Sequence, residues 1–117
     1  MNNKMYKKLI EVAEQNTVTT YSRLNSELGL GLNFESPGDR VKMSDMLGEI
    51  SEHEFEHDRP LLSGVVIEKK VPLFPAHGFF SMAKKLGVQS PKVSDVTFWA
   101  QELTRLYNTW RKNDNTK

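Results

Sequence analysis

The stretch Leu61-Leu62-Ser63-Gly64-Val65-Val66-Ile67 limits the possible folds of this chain more than any other. Its β-branched and apolar residues run on without the alternation of a strand that is wet on one side, which predicts a strand buried on both faces. Such a strand has to be wrapped by other elements, and the rest of the chain offers helices. Met5, Leu9, Val12 and Ala13 recur at helical spacing in a segment of residues 3–15 that opens at an asparagine suited to capping. Thr20 can cap a short helix from Tyr21 to about Leu28, with Gly29 and Gly31 able to end it.

Pro37, behind Ser36, suits the first turn of a long third helix. There Met43, Met46, Leu47 and Ile50 form a core-facing stripe while Lys42, Asp45 and Glu49 face water, and Pro60 stops the helix by about residue 57 or 58. Residues 68–76, with Pro72 and Pro75, read as a loop holding a short returning strand over 71–74. A fourth helix ends at Lys84, Lys85 and Gly87. A fifth starts after Ser94 and carries Val96, Trp99, Leu103, Leu106, Tyr107 and Trp110 on one face, with Trp99, Leu103 and Leu106 closing the core.

The expected architecture is a mostly helical α+β fold: one winged-helix-like domain over 1–111, with about five helices and two or three strands, followed by a polar disordered tail over 112–117. The 117 residues suffice for one core without disulfides, and the chain has no cysteine, so thiolate metal sites and cysteine nucleophiles are excluded. No apolar run approaches the roughly 20 residues that span a bilayer, and no signal-peptide pattern opens the chain, so a cytoplasmic protein that does not engage membranes is expected. Sixteen Lys and Arg against fifteen Asp and Glu leave a formal charge of +1, so any contact with phosphates must come from a local patch.

Four sets of residues could carry function. The string His53-Glu54-Phe55-Glu56-His57 matches H-E-x-x-H, in which helical spacing lets two imidazoles hold one zinc, and His77 could add a third nitrogen. Its acidic flanks Glu52, Glu56 and Asp58 favour reading it as a solvated helix end, so neither a metal nor a cofactor is expected. Arg59 can pair with Glu52 or Glu56; alternatively Arg59, Ser63 and His77 converge on an anion with Glu56 as base, and with the H-E-x-x-H string this gives the alternative reading of a small metal-dependent hydrolase around His53 and His57. Phe98 lies off the expected stripe of the last helix, and with Tyr107 and Trp110 it would form a protein-binding face, the reading of an inhibitor or accessory module.

The fourth set accompanies a resemblance. The order Val18-Thr19-Thr20-Tyr21-Ser22-x-Leu24, then Gly29-Leu30, Arg40-Val41 and Arg59-Pro60, resembles the DNA-binding half of the DNA alkylguanine transferases and alkyltransferase-like proteins, over residues 17–60. In that family such a segment starts a helix-turn-helix inside a winged-helix domain. Ser22 stands where the family has glycine, the linker 31–39 is longer, and the Pro-Cys-His-Arg acceptor motif is missing, which excludes alkyl transfer. The resemblance implies DNA binding, with Thr20, Tyr21 and Arg40 at matching positions. Ser22 and Arg23 extend that set, and Lys69 and Lys70 would contact phosphates from a wing-like loop. Residues 59–66 and 75–80 also resemble a pattern of small bacterial and phage proteins to which no activity attaches. The expected function is a nucleic-acid-binding or regulatory module rather than an enzyme.

Overall fold

Three side-chain caps fix where helices begin. Asn2 accepts a hydrogen bond from the Met5 amide at the start of α1 (Asn3–Glu14), Thr20 from Arg23 at the start of α2 (Tyr21–Leu28), and Ser94 from Thr97 at the start of α5 (Asp95–Trp110). Gly29 ends α2 at φ +62°, a conformation glycine adopts without steric cost. Between α2 and α5 lie α3 (Pro37–Glu56), with Pro37 in its first turn, and α4 (His77–Lys85). The computed structural model describes residues 1–70 and 73–111. The expected tail over 112–117, and residues 71 and 72 of the expected returning strand, lie outside them. No described helix is long and apolar enough to cross a membrane.

Among the described residues, five α-helices and one small sheet make the mostly helical α+β fold that the pattern predicts. The sheet consists of β1 (Thr19–Thr20) and β2 (Val66–Ile67), paired in parallel with Thr19 opposite Val66 and Thr20 opposite Ile67. A parallel pair needs a long crossover, which α2 and α3 supply.

The apolar run lies at the centre as expected, and α1, α3 and α5 pack around it. It is not a strand throughout. Leu62–Val65 turns as a 3-10 helix, and only Val66 and Ile67 are extended. Ahead of Val66, several of its buried backbone groups bond side chains from the surrounding helices instead of a strand ladder. The Leu61 amide donates to Glu102 (2.8 Å), the Ser63 amide donates to the Ser51 hydroxyl (3.1 Å), and the Gly64 carbonyl accepts from the Trp99 indole (2.9 Å). Gly64 is also closely packed, because a Cβ there would come within 3.2 Å of both Leu106 and Phe79.

On α5 the buried residues are Phe98, Glu102 and Leu106; Leu106 closes the core as expected, whereas Phe98 and Glu102 each lie one position before the expected Trp99 and Leu103. Val96 is 65% exposed, whereas Trp99, Leu103, Tyr107 and Trp110 are half-buried at the edges of the core.

Candidate nucleic-acid interface

The parallel pairing of β1 and β2 builds the most suggestive surface of the molecule. Both strands run the same way, so the residues that follow Thr20 emerge beside the residues that follow Ile67. The first group is the opening turn of α2, with Tyr21 and Ser22. The second is Glu68, Lys69 and Lys70, in a loop closed where the Glu68 amide donates to the Phe74 carbonyl at 2.9 Å. Arg40 joins them from the first turns of α3. The result is a groove of about 220 Å³ lined by Thr20, Tyr21, Ser22, Arg40, Lys69 and Lys70, together with Phe34 and Glu68.

Phe34 reaches this groove because the connection between α2 and α3 folds back on itself. The Asn25 side chain grips Leu32 at both ends of its peptide unit, donating to the carbonyl at 2.8 Å and accepting from the amide at 2.9 Å. This sets Phe34 beside Tyr21, with ring centroids 5.7 Å apart and planes inclined at 53°. Arg40 reinforces the corner by donating to the Phe34 carbonyl at 2.5 Å.

The charge of the groove is unevenly answered. Lys70 faces Glu68 at 3.6 Å, an exposed pair of little energetic weight. Among the described residues Arg40 and Lys69 have no carboxylate partner, and both are exposed. Burial, followed by the negative charge of Glu68, pushes the Tyr21 phenol above its ordinary pKa, so Tyr21 stays neutral at physiological pH.

Six of the seven residues that the sequence suggested for nucleic-acid contact therefore share one concave surface. Arg23 does not. It pairs with Glu27 at 3.2 Å, one turn along α2, in a separate recess with Lys8, Glu11 and Thr19. The sequence reading missed Phe34. The aromatic residue of the linker could have been noticed, but its position depends on the Asn25 clamp.

None of the other three sets converges on a common surface. Arg59 pairs not with Glu52 or Glu56 but with Glu54, whose carboxylate is completely buried. The guanidinium donates from Nε at 2.8 Å and from its NH2 group at 3.0 Å, a two-pronged grip that raises the Arg59 pKa beyond its usual high value. Tyr6 donates its phenol proton to the same carboxylate at 2.9 Å, and its pKa is raised, first by burial and then by this bond. Glu54 is thus committed to the interior, although its neighbours Glu52, Phe55 and Glu56 are exposed. The expectation of a wholly solvated helix end is corrected at this residue.

His53 and His57 do sit together, with ring centroids 4.4 Å apart, and His57 Nδ1 hydrogen-bonds the His53 carbonyl at 2.8 Å. His77 lies elsewhere, beside Ser81 at 3.1 Å and next to Gly78, which packs near Ser44. Along α3, His53 is nine residues beyond Ser44, an axial distance of about 13 Å. Among the described residues no three His, Cys, Asp or Glu side chains are arranged to hold a metal ion.

The hydrolase set is dispersed among separate partners. Ser63 is buried with its hydroxyl 2.6 Å from that of Ser51, Arg59 is held by Glu54, and Glu56 and His77 are exposed on different helices. A cavity of about 40 Å³ lies beside Ser63, between α3 and α4, but none of Glu56, Arg59 and His77 lines it.

The aromatic set is also employed internally. Phe98 is only 5% exposed and packs against Phe79, so it belongs to the packed stripe rather than lying off it. Tyr107 donates to the Thr17 carbonyl at 3.0 Å, and Trp110 lies beneath the Arg59 guanidinium at 5.8 Å.

Comparison with known proteins adds no relative. No protein-family model, curated protein or solved structure matches the chain.

Proposed function

We propose that this protein is a small nucleic-acid-binding module that holds the phosphate backbone in the groove between α2, α3 and the loop after β2. The observation that carries this reading is the convergence of Arg40, Lys69 and Lys70 with Thr20, Tyr21 and Ser22 on one surface, from three separate parts of the chain. In a protein of net charge +1, such a local concentration of cations is the kind of patch that phosphates require. Arg40 and Lys69 serve as the main phosphate contacts, and the hydroxyls of Thr20 and Ser22 add hydrogen bonds that fix register. Lys69 and Lys70, just after β2, act as a wing-like contact.

The test is a titration of nucleic acid at several salt concentrations with the intact protein and with an Arg40→Ala/Lys69→Ala/Lys70→Ala variant. Release of counterions from about three phosphates predicts a slope of log affinity against log salt of roughly −2 to −3, flattened in the triple variant. Absence of affinity at low salt, or affinity independent of salt, defeats the proposal.

A further inference from the structure

The groove is concave, and this bears on which nucleic acid it accepts. Readers of duplex DNA present a convex element, a helix or a ribbon, to a major groove about 12 Å wide. Readers of single strands instead offer a charged channel with aromatic rings on which unpaired bases stack. Here Arg40 and the two lysines surround a hollow of about 220 Å³, and the half-buried rings of Tyr21 and Phe34 form part of its wall.

Building on the nucleic-acid reading above, we infer that the ligand class is single-stranded nucleic acid: one base stacks on the face of Phe34, with the tilted Tyr21 ring against its edge, while the adjoining phosphates lie between Arg40 and Lys69. The rings accept any base, so the selectivity is for an unpaired strand and not for a sequence.

The experiment is fluorescence anisotropy on the intact chain with three probes: an eight-nucleotide thymidine strand, a mixed-sequence duplex, and thymidine monophosphate as competitor. The single strand is expected to bind at least about tenfold more tightly than the duplex, with stacking as the source of the difference. Phe34→Leu, which keeps an apolar side chain but removes the ring face, is expected to weaken strand binding roughly tenfold, and Phe34→Tyr to preserve it. Thermal unfolding of both variants checks that each is folded.

Equal or tighter binding of the duplex overturns the inference and leaves the nucleic-acid reading standing. So does an unchanged affinity in folded Phe34→Leu, or displacement of the strand by thymidine monophosphate at equal concentration. Failure of both strand and duplex to bind at low salt removes the underlying reading as well.

Discussion

Two parts of this molecule use similar side chains to opposite ends. At the junction of α1, α3 and α5, an arginine, a tyrosine and a tryptophan surround Glu54, and the charges are answered within the chain. In the groove, an arginine, two lysines, a tyrosine and a phenylalanine surround open space, and one nearby carboxylate, Glu68, partly balances the cations. The first arrangement holds elements together. The second has unused electrostatic capacity, which makes it suitable for a ligand. Composition does not separate the two; the location of the counter-charge does.

The contrast is sharpest at Glu54. Replacing it by glutamine in Glu54→Gln leaves Arg59 and the Tyr6 phenol without their shared anion in a buried setting. The expected loss of unfolding free energy is about 2–4 kcal/mol, toward the lower end because Arg59 is partly exposed and can recover water. Urea denaturation measures it. A loss below about 0.5 kcal/mol would mean that the buried pair contributes no more than a surface pair. Tyr6→Phe is a milder form of the same test. It removes one hydrogen bond to Glu54 and is expected to cost about 1 kcal/mol, with a larger effect in the wild-type background than in Glu54→Gln, since the bond no longer reaches a charged acceptor there.

Asp95 is an intermediate case, a carboxylate answered at the surface. It accepts from buried Gln89 at 2.8 Å and pairs with Lys84 at 3.3 Å, and these contacts, Gln89 first, hold its pKa below the ordinary 3.8. A carboxylate with a depressed folded pKa contributes stability above its unfolded pKa and loses it as the pH falls through the folded one. Stability should therefore decline below about pH 3.8 in the wild type, and Asp95→Asn should flatten that part of the profile. An unaltered acid profile in the variant would show that Asp95 does not contribute to it.

How much of this was legible in the sequence follows from the range of the interactions involved. Helix starts at Thr20, Pro37 and Ser94 are set by contacts within one turn, so local residue types identify them. The turn at residues 62–65 escaped notice because the groups that satisfy it, Ser51, Trp99 and Glu102, come from α3 and α5. One signal was available. Met43, Leu47, Ile50, Ser51 and Glu54 share a helical stripe, as do Phe98, Glu102 and Leu106, so the polar members of these stripes could have been assigned inward and partners sought for them. The groove was legible as a set of residues, through the resemblance and the paired lysines. Its concavity was not, since it depends on a two-residue parallel pairing and on the Asn25 clamp.

The remaining prediction concerns stability where little change is expected, and it tests the comparison most directly. Arg40→Ala, Lys69→Ala and Lys70→Ala together remove three exposed cations and take the formal charge from +1 to −2. If these residues belong to a ligand rather than to the fold, the triple variant should unfold within about 0.5 kcal/mol of the wild type, as surface substitutions usually do. Loss of the exposed Lys70–Glu68 pair fits inside that margin, and easing repulsion among neighbouring cations acts in the opposite direction. A loss of 2 kcal/mol or more, comparable to that of Glu54→Gln, would put the groove in the same structural class as the Glu54 junction. Its cations would then be holding the α2–α3 connection in place, for instance through the Arg40 bond to the Phe34 carbonyl, and weaker nucleic-acid binding in the variant would reflect a collapsed site instead of missing phosphate contacts.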